Sequence, residues 1–215
     1  MRGAYSSKQN FLFDLDGTLV DSVPAHARAF ADALRPAHAE LAASFKYAPF
    51  AGQPTRQIFW TLGMQEPELS ELTRRKQELY REALDRGEVR PFPGAETLLA
   101  RLRGENKRVF IVTGASRISA ERVLETSKLG RWTEGMIAAE ETRAGKPAPA
   151  PYLLALEKFG LAAGDCLVIE DGESGVAAAQ AAGIDVVLIN ADLQLDGVRH
   201  VGDCGQFLTL LTGGV

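Results

Sequence analysis

Two aspartates, Asp14 and Asp16, stand two residues apart in the stretch FLFDLDGTLVDS, directly after the apolar residues Phe11, Leu12 and Phe13. An apolar run pulls its neighbours toward a core, where one bare carboxylate is costly and two repel each other. Such a pair needs positive charge beside it, and the chain supplies a candidate in Lys146 of TRAGKPAP, set between Gly145 and Pro147. A second acidic pair, Glu170 and Asp171, ends the apolar run of CLVIEDG, and Thr113 and Gly114 end RVFIVTG. Carboxylates, a hydroxyl and one fixed ammonium make a set that is unstable alone and stable around a divalent cation and a phosphate. Hard carboxylate oxygens suit Mg²⁺, which takes one or two protein carboxylates and keeps several waters. The lysine and the hydroxyl suit phosphate oxygens.

These residues act together only if the fold brings them to one edge. Phe11 to Leu15 reads as a buried strand, and RVFIVTG, DCLVIEDG and IDVVLIN as further strands, with IDVVLIN the last clear one. GMIAAEE reads as a short strand. SAERVLETSKLG, APAPYLLALEKFG and VAAAQAAG read as helices between them. Alternating strand and helix imply an α/β fold, a Rossmann-like parallel sheet core with right-handed crossovers, whose ligands bind at the carboxyl ends of the strands. Between the first and second strands the character changes. PAHARAFADAL and ELSELTRRKQELYREAL are helical in spacing and composition, with an interruption near KYAPFAGQPT. The expected domains are an α/β core over 1–20 and 92–215 and an inserted all-helical cap over 21–91.

Composition sets bounds on partners. Of the 215 residues 46% are hydrophobic and 24% charged, the balance of an ordinary globular protein, and the net charge of -4 gives no reason to expect nucleic acid or an acidic membrane. The N-terminal MRGAYSSKQN has no apolar signal core, and no apolar stretch reaches membrane-spanning length. Cys166 and Cys204 lie far apart without metal-ligand spacing. A cytoplasmic protein is expected, a monomer or weak dimer, with a small phosphorylated metabolite as its partner.

With DLDGT, VTG, GKPAP and IEDGESG in that order, and a helical insert after the first, the chain resembles the haloacid dehalogenase-like superfamily of phosphohydrolases over essentially its whole length. It is most similar to the helical-cap subgroup containing β-phosphoglucomutase and the phosphosugar and phosphoglycolate phosphatases. The resemblance implies that Asp14 is the nucleophile and Asp16 the acid and base. It implies Mg²⁺ held by Asp14, the Asp16 carbonyl and Asp171, with Glu170 reaching it through water. Thr113, the Gly114 amide and Lys146 would hold the phosphoryl group, and Gly17 and Thr18 would turn the chain toward the cap. His26 in DSVPAHARAF and Arg56 in GQPTRQ are candidates for substrate contact, with a surface or packing role for His26 and a solvated helix position for Arg56 as the alternatives. The run Arg74 to Lys76 reads as an exposed helix face, and Trp60, Trp132 and Cys166 as packing.

A Mg²⁺-dependent phosphatase working through an aspartyl phosphate is the leading function. The alternatives are a hexose-phosphate mutase like β-phosphoglucomutase and a non-catalytic binding module. A register anchored on Gly52 places Thr55 where the mutase pattern has arginine, with Arg56 one position later. That shift turns a helical side chain by roughly 100° and favours hydrolysis.

Overall fold

The computed structural model describes residues 5–191 and 193–213. Its elements, in chain order, begin with strand β1, Asn10–Phe13. The strands β2, Val20–Asp21, and β3, Arg90–Pro91, flank four helices: α1 Val23–Leu34, α2 Ala39–Ser44, α3 Thr55–Thr61 and α4 Glu68–Asp85. Then come α5 Ala95–Gly104, β4 Arg108–Val112, α6 Arg117–Thr126, β5 Gly135–Ile137, α7 Ala150–Phe159 and β6 Cys166–Glu170. The last elements are α8 Glu173–Ala181, β7 Asp185–Ile189, β8 Arg199–Val201 and α9 Cys204–Thr212.

Six strands form a parallel sheet in the order β5-β4-β1-β6-β7-β8. β1 sits between β4 and β6, with Phe11 level with Val109 and Leu167, and all four of its residues are buried. A strand buried on both faces needs apolar side chains at successive positions rather than at alternate ones, and FLF, VFIV and CLVI supply them. α8 packs small residues, Gly175, Ala178 and Ala179, into the core and so lies close against the sheet.

The structure falls into two compact units, one with residues up to Val20 and from Pro91 onward, the other Asp21–Arg90. β2 and β3 pair as a two-stranded ribbon where the chain passes between them. The fold is the parallel core with a helical insert that the sequence pattern implies. The helical unit has its own core, with Phe30, Tyr47, Ile58, Phe59 and Leu72 at its centre.

Three expectations need correction. IDVVLIN is not the last strand, because the short β8 pairs with the edge of β7 and α9 follows it. The strand in GMIAAEE ends at Ile137, where a single 3₁₀ turn, Ala139–Glu141, takes over. The Glu141 carboxylate closes that turn by accepting the Ala138 N–H at 2.9 Å. Trp60 is not packed: 56% of its surface is exposed.

Candidate active site

β1 carries Asp14 just past its end, and the Asp14 N–H donates to the Ile169 carbonyl at 2.9 Å, extending the ladder to β6 by one more bond. Glu170 is the last residue of β6 and Asp171 follows it. Thr113 follows β4, and its N–H donates to the Ile137 carbonyl at 3.0 Å. The neighbouring strands β4, β1 and β6 therefore deliver Thr113, Asp14, Glu170 and Asp171 to one sheet edge, as expected for an open parallel sheet.

Lys146 reaches this edge from the loop before α7. Its ammonium donates to Asp14 Oδ1 at 2.6 Å, to Glu170 Oε1 at 2.5 Å and to the Val112 carbonyl at 2.8 Å. All three of its protons are used. Tyr152, fully buried on α7, donates its hydroxyl to the same Glu170 Oε1 at 2.6 Å. Thr18 donates to Asp171 Oδ1 at 3.3 Å. Gly17 lies at φ +88°, and a methyl there would overlap the Asp171 carboxylate; one at Gly175 would overlap that of Glu170. Both positions need glycine for space, and Gly17 needs it for backbone conformation as well.

Charge is not balanced at this edge. Burial drives the Asp14 carboxyl well above the usual carboxylate range, Lys146 pulls it back, and Glu170 and Asp171 push it up again. Asp171 is pushed up to about 7 by burial and the Glu170 charge, with Lys146 acting the other way. Burial opposes the charged form of Lys146, but Asp14 and Glu170 outweigh it and hold the ammonium above its ordinary value. The Tyr152 phenol is raised by burial and by Glu170, so it remains a donor. A cluster with this excess of carboxylates suits a divalent cation. Asp14, Glu170 and Asp171 each offer an oxygen, all within 4.8 Å of one another, a hard-oxygen set suited to Mg²⁺.

The imbalance has a measurable sign. Raised carboxyls mean that the folded protein keeps protons the unfolded chain has released. Stability present at about pH 4 should therefore fall as pH rises toward about 7 in metal-free protein. Urea unfolding across that window should show the decline, and Asp171→Asn should flatten part of it. A profile with the same slope in both proteins would count against burial as the cause.

Asp16 is half-buried in the turn after β1, bridged to Val20. Thr113 Oγ1 accepts the Ala115 N–H at 3.0 Å, which fixes the turn that exposes Gly114. Asp14, Glu170, Asp171, Lys146 and Thr113 are thus brought together or onto one edge. Two more expected residues belong to the helical unit. The exposed Arg56 is tied to Glu66 and donates to Ser70 at 3.1 Å. His26 stacks on Tyr80 at 4.0 Å between ring centroids, and its Nδ1 lies 2.8 Å from the Lys76 ammonium. An ammonium can only donate, so Nδ1 accepts and a neutral ring carries its proton on Nε2.

That contact corrects the reading of Arg74 to Lys76 as an exposed face. Arg74 and Arg75 are exposed, but Lys76 is only 4% exposed, with its ammonium over the Phe30 and Tyr80 rings. It lies four residues after Leu72 and four before Tyr80, on the buried stripe of α4. That spacing was the available signal. Tyr152 and Asn190 were also missed. Asn190, just past β7 at φ 57°, donates to the carbonyls of Gly17 and Thr18 at 3.0 and 2.9 Å and fastens the turn after β1. A tyrosine within an apolar helix stripe signals a buried hydroxyl that needs a partner; nothing local marks Asn190. The thiols of Cys166 and Cys204 are free and buried, and burial pushes both up to about 11, which leaves no thiolate nucleophile in either.

A model of the haloacid dehalogenase-like hydrolases matches residues 11–189. Hexitol phosphatase A of Escherichia coli (strain K12) is 35% identical over 196 residues, covering 90% of this chain and 88% of that protein. Fructose-1-phosphate phosphatase YqaB of the same strain is 30% identical over 188 residues, covering 85% and 97%. Among solved structures, CbbY from Rhodobacter sphaeroides in complex with phosphate superposes with a TM-score of 0.79 at 22% identity, covering 95% of this chain and 99% of that one.

Proposed function

This chain belongs to the haloacid dehalogenase-like hydrolases, and on that premise we propose that it is a Mg²⁺-dependent phosphatase that hydrolyses a small phosphorylated metabolite through an aspartyl phosphate on Asp14. The observation that carries the reading is Lys146 bridging Asp14 and Glu170 beside Asp171 at the ends of the central strands. The core over 1–20 and 92–215 is the catalytic domain, because every group of that cluster lies in it, and the helical segment 21–91 is the cap.

Asp14 attacks phosphorus, the bond to the leaving oxygen breaks, and Asp16 gives that oxygen its proton. Asp16 then takes a proton from water as the water attacks the aspartyl phosphate, releasing phosphate and restoring the Asp14 carboxylate. Lys146, Thr113 and the Gly114 amide hold the phosphoryl oxygens, and in a loose transition state that positioning is most of the catalysis. Asp14, the Asp16 carbonyl and Asp171 would hold Mg²⁺, with Glu170 acting through water; when bound, it supplies the positive charge that keeps these carboxylates ionised and offsets charge on the phosphoryl oxygens.

Hydrolysis is favoured over mutase chemistry by Arg56. A mutase needs a cation to grip the distal phosphate of its sugar, and here Arg56 is held by Glu66 and Ser70. The reading includes a cytoplasmic location, supported by two free, buried cysteines.

The test is a panel of hexitol phosphates, fructose 1-phosphate, phosphoglycolate and β-glucose 1-phosphate. Phosphate release should occur with Mg²⁺, stop on chelation and return on adding Mg²⁺ back, with Ca²⁺ unable to replace it. A thoroughly demetallated protein that kept its rate would sink the metal assignment. Glucose 6-phosphate formed without phosphate release would make the enzyme a mutase.

A further inference from the structure

Glu170 is gripped from three directions. Lys146 and the Tyr152 hydroxyl both donate to Oε1, at 2.5 and 2.6 Å, and α8 at Gly175 leaves no space on the remaining side. Tyr152 also acts on the lysine, because its ring faces the Lys146 ammonium with 5.4 Å to the centroid. One side chain therefore touches the cation through its π face and the carboxylate through its hydroxyl. α7 begins four residues after Lys146, so a single short segment carries both donors to Glu170.

We propose that Tyr152 is a positioning residue for the metal site, fixing Glu170 Oε1 so that this carboxylate keeps one orientation beside those of Asp14 and Asp171 while Lys146 stays on Asp14. The proposal rests on the Mg²⁺ reading of the cluster. Lys146 has three acceptors and Glu170 Oε1 has two donors. Without the phenolic proton Glu170 loses half the restraint on that oxygen, and its carboxylate can turn and draw Lys146 away from Asp14. Tyr152 touches neither substrate nor phosphoryl group in this scheme. Its hydroxyl acts through Glu170. Residues that orient ligands in this way are worth about 10- to 100-fold in metal affinity.

Tyr152→Phe keeps the ring, its packing and its face toward Lys146, and removes only the hydroxyl. Metal binding is read without substrate, from the Mg²⁺ concentration that half-saturates the rise in melting temperature of demetallated protein and from titration calorimetry. That concentration should increase about tenfold. The Mg²⁺ dependence of phosphate release should shift in parallel, with substrate KM at saturating Mg²⁺ changed less than about twofold. In a Glu170→Gln background Tyr152→Phe should add nothing to the Mg²⁺ shift, since its route is gone. A merely structural tyrosine would lower the melting temperature of both backgrounds and leave the Mg²⁺ midpoint where it was, which would overturn the proposal. A wild-type protein with no Mg²⁺ response in either measurement would remove the metal reading itself and this proposal with it.

Discussion

Asp14→Asn should leave a folded protein whose turnover is lower by at least about four orders of magnitude, the scale of losing a nucleophile. The amide keeps the size and planar shape of the carboxylate, so the β1 ladder, including the Asp14 N–H bond to Ile169, has no reason to change. Lys146 keeps Glu170 Oε1 and the Val112 carbonyl as acceptors. Removing one carboxylate also relieves repulsion with Glu170 and Asp171, both of which raise the Asp14 carboxyl. Melting of the metal-free variant should thus stay near that of the parent while phosphate release disappears. Full activity, after mass spectrometry has excluded deamidation back to aspartate, would end the case for a phosphoaspartate.

Lys146→Met should be the more damaging change, because it strikes both chemistry and fold. Methionine fills a similar volume but leaves Asp14 and Glu170 buried without the cation that bridges them. Taking one partner from a buried ion pair costs about 3–5 kcal/mol. In metal-free protein at neutral pH, denaturant unfolding should register that loss, and Mg²⁺ should restore part of it by supplying charge to the same carboxylates. Activity should remain low at saturating Mg²⁺, since the proposed mechanism assigns Lys146 both to Asp14 and to the phosphoryl oxygens. A variant with parental stability would mean that the carboxylates are not charged together in the native state.

The central sheet was open to reading because its strands lie in the middle of a parallel sheet. NFLF, RVFIV, CLVIE and DVVLI are covered on both faces, so their apolar runs are short, continuous and bounded by turns. Asp14 and the Glu170–Asp171 pair stand out against such runs because charge there needs a reason. Strand β8 was hidden for the converse reason: RHV is an edge strand with one neighbour and no apolar run. Lys76 was misread because its charge was weighed with Arg74 and Arg75 instead of its place on the Leu72–Tyr80 stripe. Asn190 acts across the sheet on carbonyls of Gly17 and Thr18, and no local pattern encodes so distant a pairing.

β1 lies at the centre of the sheet, yet both its partners come late in the chain: Phe11 pairs with Val109 on one side and Leu167 on the other. On the ribosome, at about 5–20 residues per second, the first partner is synthesised roughly 5–20 s after β1 and the second later still. The helical unit Asp21–Arg90 is contiguous, so every residue of its own core is made before β4. A nascent chain of this design carries an unpaired apolar strand until β4 is made. Its exposure to aggregation and chaperones is set by translation speed across the segment before β4.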